Sequence, residues 1–466
     1  MIAACEGPES GPIGVSAIGA PPRLVNPNLN PLDAGGAFLT DAVAQGLVRF
    51  DANGEIEPAL AQSWIVSDDG LRYTFRIRRV EWAGGGGRVT AEQVASRLRA
   101  AVSRASRNRL KPVLGTIDSV VAMTDEVLEI SLRGPRPNLL QLLAQPELAI
   151  LLGGRGTGPY QLEAVRPGLV RLALPRGEEE DEPAPDRPDL FLRGERSSLA
   201  VARFAAEETE LVVGGTIGDL PIVRAADVPD NRLSIDPARG VLGLAFVSTV
   251  GPLGDPAVRR ALSMAVDRDG LVQAFAVPGM EARPTLVPRG IEEMPRPTLP
   301  DWAGGSLPMR RQAAATAIAA LAAPLRIRVA MPDAPGYRIL FARLRRDWRL
   351  IGVEAERVPE RAAAELRLVD EIAPTLLASW YLRRFTCDAS PVCDATADEA
   401  LDAARGALAL RDRQNELAKA DGILTGLTPF IPLATPVRWS LVSPRLTGFR
   451  PNPFARHPAG TLIAEE

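Results

Sequence analysis

The side chains that most often do chemistry are nearly missing from this chain. Its 466 residues hold one histidine, His457, in the Pro/Gly-rich tail. Histidine is the commonest general base and metal ligand, so most hydrolase and zinc-site designs lack their groups here. Lys111 and Lys419 are the only lysines, and the other 52 of the 54 basic residues are arginines. Schiff-base chemistry would have to use one of those two lysines. A mechanism run by paired carboxylates alone stays open. Gly153-Gly-Arg-Gly-Thr-Gly-Pro159 is glycine-rich but lacks the Lys and Ser/Thr of a phosphate-binding loop, and neither a GxSxG elbow nor an HExxH motif occurs.

Cys387 and Cys393 enclose a short loop, Cys387-Asp-Ala-Ser-Pro-Val-Cys393, which makes a disulfide in an oxidising compartment or two free thiols in a reducing one. The spacing is not that of a zinc site, and no metal or cofactor is expected. Cys5 is left odd. Ile2-Ala3-Ala4-Cys5 resembles the end of a bacterial lipobox, which makes Cys5 a lipidation candidate, against a chance Ala-Ala-Cys in an Ala-rich chain. Residues 1–20 then read as a lipobox remnant and flexible tether.

A chain this long needs more than one core. Hydrophobic content of 46%, mean hydropathy of +0.01 and a net charge of −3 describe a globular chain with no electrostatic pull toward nucleic acid. The periodicities alternate between strand and helix, which argues α/β. Tyr73, Phe75 and Ile77 mark a half-buried strand, and Thr90-Ala-Glu-Gln93 a capping box opening a helix with apolar face Val94, Leu98 and Val102. Val121 to Leu132 reads as a hairpin-type segment, and Glu178 to Asp186 as a solvated acidic loop. Asp255-Pro256 starts a helix with the stripe Val258, Ala261, Leu262, Ala265 and Val266; Arg259 and Arg260 fall off it, toward water or another lobe. Leu325 to Val329, a helix from Pro335 to Leu350, and Val353 to Val358 form a βαβ unit with parallel strands. A single helix is expected over Ala397 to Leu424.

An ordered set of motifs resembles the peptide/nickel-binding family of ABC-transporter solute-binding proteins, family 5. It comprises Asn30-Pro-Leu32, Gly46-Leu-Val48, Pro58-Ala-Leu-Ala61, Ser63-Trp64, Asp69-Gly70, Tyr73-Thr-Phe75, Gly87-Arg-Val-Thr-Ala-Glu-Gln-Val94 and Gly156-Thr-Gly-Pro-Tyr160. It continues with Asp255-Pro-Ala-Val-Arg-Arg-Ala-Leu-Ser-Met-Ala-Val-Asp-Arg268, Pro429-Phe-Ile-Pro-Leu433 and Leu446-Thr-Gly-Phe449. The resemblance implies a two-lobed periplasmic-binding-protein (Venus flytrap) fold with an enlarged first lobe. Lobe one would be residues 21–235 plus 428–466, and lobe two residues 236–427. It also implies a monomeric, periplasmic, lipid-anchored binder that catalyses nothing. Such a binder captures a peptide-like or other small polar solute in an interlobe cleft by hinge closure and hands it to the permease subunits of an ABC importer. The alternatives are a secreted carboxylate-dependent hydrolase, or a sensor or docking relative with a degenerate cleft.

By the same resemblance the ligand is lined by the segment Asp33 to Phe38 (Asp33, Ala34, Gly36 and Phe38) and by Trp380, Tyr381, Arg383 and Arg384. Peptide binders of the family carry an aspartate three residues after that Trp, where it pairs with the ligand's amino terminus. Arg383 stands there in this chain. A guanidinium at that place favours an anionic or carboxylate-bearing ligand, against a local shift of alignment in a variable loop.

Overall fold

The computed structural model describes residues 11–166, 168–175 and 187–464. Cys5 and the acidic stretch 178–186 lie outside the described residues. The chain divides into two compact units. Unit 1 gathers the described residues up to Gly215, Ile222–Pro237, and those from Arg438 onward; unit 2 is Thr216–Pro221 with Ala238–Val437.

Unit 1 is built on a seven-stranded sheet in the order Leu233–Ile235, Trp439–Val442, Leu211–Gly215, Ile13–Ile18, Leu190–Glu195, Leu169–Ala173, Gln161–Arg166. The middle strand, Ile13–Ile18, runs parallel to both neighbours. Residues 13–18 are therefore not tether. Ile13, Val15 and Ala17 alternate into the core with Leu190, Leu192 and Leu211, and that apolar period makes them a strand. A four-stranded antiparallel sheet, Ala61–Val66, Arg72–Ile77, Val127–Leu132 and Ile117–Ala122, buries Tyr73, Phe75 and Ile77. The helix Ala91–Val102 packs on it, opened by the complete Thr90–Gln93 capping box.

Unit 2 has one five-stranded mixed sheet: Glu354–Pro359, Arg326–Met331, Leu366–Ile372, Gly240–Phe246, Phe430–Ala434. Arg326–Met331 and Glu354–Pro359 are parallel and joined through the helix Pro335–Arg349. Phe430–Ala434 is an edge strand paired with Gly240–Phe246. The chain thus passes back to unit 1 after Val437, ten residues beyond the boundary expected at 427/428, because those strand hydrogen bonds hold residues 430–434 in unit 2. The expected helix over Ala397 to Leu424 is two, Ala395–Gly406 and Leu410–Leu427.

The arginines of the 255–268 motif face neither water nor another lobe, with one exception. Arg259 is buried and donates to the carbonyls of Leu253, Gly254 and Leu427. Arg268 is buried and donates to Pro432 O at 2.7 Å and to Ser263 O and Oγ. Both tie the helix Pro256–Ala265 to the chain around the edge strand. Arg260 alone is on the surface side, paired with Asp301.

Cys387 and Cys393 are joined in a disulfide closing the turn before the helix Ala395–Gly406. A loop this short restrains the unfolded chain by about 2 kcal/mol. The double variant C387S/C393S should lower the urea-unfolding free energy by that amount, and dithiothreitol should do the same to the wild type but not to the variant.

Candidate ligand-binding site

In unit 1 the expected ligand segment is the start of the helix Ala34–Val43, which follows the central strand Ile13–Ile18. Asp33 is its N-cap, and its Oδ1 accepts from Gly36 N at 2.7 Å. A Cβ at position 36 would stand 3.0 Å from that oxygen, a tight contact that glycine avoids. Asp33 is exposed and Ala34 partly so, whereas Gly36 is buried. Phe38 belongs to the core with Val15, Leu192 and Leu211, since its ring points into the sheet. Of these four residues, Asp33 and Ala34 are the two that reach the surface.

Unit 2 brings its candidates together at one end of the five-stranded sheet. Gly240 pairs with Ile372 and Leu242 with Ala434, so the residue before the strand Gly240–Phe246, the end of Leu366–Ile372 and the end of Phe430–Ala434 share that end of the sheet. Parallel strands of open α/β sheets commonly bind ligands beyond their carboxyl ends. The helix Ala378–Leu382 leaves from this end and carries Trp380 and Tyr381. Their rings meet edge to face at 4.8 Å. The Arg384 guanidinium lies 4.4 Å over Trp380, with Nη2 3.6 Å from Glu371 Oε2. Tyr381 is fully buried; its hydroxyl meets no hydrogen-bond partner among the described residues, and burial pushes its pKa up to about 12 against the pull of Arg283, Arg384 and Arg239.

Arg383 is placed differently from the expectation. It is buried, and its Nη2 donates to Leu401 O and to Asp402 Oδ1, both on the helix Ala395–Gly406. Its charge is already answered inside unit 2, and it acts as a clamp between two helices. Arg283, which the sequence reading passes over, faces the Tyr381 ring at 5.8 Å. It is 5% exposed, and its pKa is drawn down to about 10, chiefly by burial, with Arg384 adding to the fall. One arginine among 52 carries no sequence signal of its own. Its position follows only from the bridge between Ala282 and Ala434 and the bond from its own N–H to Leu433 O.

The lone histidine is structural: His457 stacks on Phe449 at 4.3 Å and lies 3.3 Å from Asp236 Oδ2. Among the described residues no three His, Cys, Asp or Glu side chains converge as a metal site would need, and no helix is long and apolar enough to cross a membrane.

Unit 1 also contains a cavity of ≈ 390 Å³ of mixed charge, with Asp41, Arg49, Glu57, Arg187 and Arg450 in its wall. Burial pushes the Asp41 carboxyl up to about 6, although Arg456, Arg49 and an N–H from Ala459 pull it down.

Two outcomes are expected. Between about pH 4 and 6 folded Asp41 keeps a proton that the unfolded chain has lost, so this stabilisation is full below pH 4 and gone above about 6. D41N should remove that decline, raising stability at pH 8 by about 1–3 kcal/mol in urea titrations. R383A, by stripping the Leu401 carbonyl and Asp402 of their donor, should cost about 2 kcal/mol of stability. R383A should also leave solute affinity within about twofold; a loss of binding without a loss of stability would return Arg383 to the ligand.

The model of the bacterial extracellular solute-binding proteins, family 5 Middle, matches residues 55–322, more than half of the chain. The peptide transport periplasmic protein SapA of Salmonella typhimurium is 25% identical over 305 residues, covering 56% of this chain and 54% of that protein. The glutathione-binding protein GsiB of Salmonella choleraesuis is 29% identical over 282 residues, covering 53% and 52%. The chain spans about half the length of the curated relatives it matches. The solved structure of Haemophilus influenzae OppA, in complex with the peptide RPPGFSPFR, matches with a TM-score of 0.82 at 17% identity, over 96% of this chain and 97% of that one. The fold is accordingly the α/β fold of the periplasmic binding proteins. By the family match over residues 55–322, this chain belongs to the bacterial extracellular solute-binding proteins, family 5.

Proposed function

We propose that the chain is the extracytoplasmic solute-binding component of an ABC importer, which captures a small polar solute by hinge closure and releases it to the permease subunits in the membrane. The observation that carries this reading is the match to the family 5 model, joined to the cluster of Trp380, Tyr381, Arg384 and Arg283 at one sheet end of unit 2. That cluster offers aromatic faces and cations and no nucleophile paired with a base, which is the equipment of a binder. The relatives named for peptide and glutathione favour a peptide-like or other small polar solute. A periplasmic location, with a lipid anchor at Cys5, belongs to the same proposal, and so do Asp33 and Ala34 as contributors from unit 1.

A binder is stabilised by its ligand and does not consume it. Incubation with pooled di- to tetrapeptides and glutathione should raise the melting temperature, reaching about 2.7 kcal/mol of stabilisation at a hundredfold excess over Kd. Mass spectrometry should then recover the retained compound unaltered. Conversion of that compound to product would replace the transport reading with a carboxylate-dependent hydrolase.

A further inference from the structure

Buried arginines in unit 2 share a habit. Arg259 spends its donors on backbone carbonyls, Arg268 on carbonyls and the Ser263 hydroxyl, and Arg383 on a carbonyl and a carboxylate. Arg283 does not. Its Nε, Nη1 and Nη2 are all buried, and none meets a hydrogen-bond acceptor among the described residues. Buried polar groups are almost always paired, and an uncompensated buried charge is among the costliest features a fold can carry.

What faces Arg283 does not answer its charge. The Tyr381 ring lies across it, and the hydroxyl of that ring is likewise without a partner among the described residues. Arg384 is near enough to repel it, and Arg239 acts on the same tyrosine. Glu371 is the nearby carboxylate, and it stands by Arg384. Asp370 is occupied by the Tyr337 hydroxyl at 2.8 Å. The place thus holds a guanidinium with five N–H donors and a phenol O–H, all buried and none of them paired among the described residues.

We propose that Arg283 and the Tyr381 hydroxyl form a subsite for a carboxylate group of the bound solute, with Arg384 on Trp380 as its flank. The guanidinium fork matches the two carboxylate oxygens, and the phenol adds a third donor. A carboxylate is chosen over a phosphate because Glu371, facing Arg384, already tempers the positive field of Arg283, Arg384 and Arg239, so a singly charged group suits the place better than a dianion. The inference rests on the solute-binding reading and gives it a substrate class: acids, with the acid group innermost.

The test uses the full chain and two pools of the same compounds, tetrapeptides and small organic acids, one with free carboxyl groups and one as primary amides. Native mass spectrometry reads what the protein retains. The wild type should keep free acids at least tenfold over amides. R283M should lose that preference tenfold or more while melting at or above the wild-type apoprotein, since it removes an unanswered charge. Y381F, which alters only the hydroxyl, should lower the preference about threefold. Equal retention of acids and amides by the wild type overturns the subsite while the binding reading stands. So does an R283M protein that keeps the preference or melts several degrees lower with Y381F unchanged. Retention of inorganic phosphate ahead of the acids overturns the choice of carboxylate. If neither pool is retained, the solute-binding reading itself falls.

Discussion

The strand Gly240–Phe246 must lie tightly between two partners, and unit 2 depends on that fit. A Cβ at Gly240 would sit 2.0 Å from Glu371 O, and one at Gly243 would sit 2.4 Å from Ile431 O. Glycine at these places lets both neighbours close on this strand, and the close fit sets their register. Register in turn decides which residues share the sheet end. With Gly240 opposite Ile372 and Leu242 opposite Ala434, Arg239, Glu371 and the Ala282–Ala434 bridge that carries Arg283 fall at one end of the sheet. A slip of one residue in either neighbour would send Arg283 or Glu371 to a different face, and Tyr381 would lose the guanidinium of Arg283 or Arg384 its partner Glu371.

The buried arginines show how this unit handles charge. An arginine held against carbonyls, as at 259 and 268, brings no net attraction between full charges; it gains several hydrogen bonds from acceptors that the ends of helices and strands leave over. Such residues are fasteners, and arginine suits them better than lysine because its donors are spread in a plane. Arg310 and Arg268 both approach Trp302, at 5.4 and 5.1 Å, so even the aromatic faces are used to hold cations. In a chain with 52 arginines the fastening role is common, which is why an arginine with nothing to fasten is informative.

The parts of the fold legible in the sequence were those carried by local rules. The Thr90–Gln93 capping box, the Asp255-Pro256 helix start and the alternation of Tyr73, Phe75 and Ile77 each involve neighbours within a few residues, and each is present in the structure. What failed was non-local. Ile13–Ile18 reads as tether because its flanking Gly and Pro residues resemble a linker, and only pairing with strands nearly 180 and 200 residues away makes it the middle of a sheet. The family motif placed Trp380 and Tyr381, which do lie together, but it also offered Arg383 for a ligand, because counting along the chain cannot show that the side chain turns inward to Leu401. Arg283 had no motif to announce it, since its meaning lies in what is not beside it.

The pairing of Trp439–Val442 with both Leu211–Gly215 and Leu233–Ile235 has a consequence for how the molecule is made. Unit 1 is interrupted by the two hundred residues of unit 2 and completed by a strand close to the carboxyl end of the chain. Synthesis therefore finishes unit 2 while the seven-stranded sheet still lacks a member, with Leu211–Gly215 open along one side. An open strand edge of this kind invites pairing with another chain. A polypeptide so arranged gains from being kept unfolded until Trp439–Val442 has emerged, because only then can the open side of Leu211–Gly215 be covered.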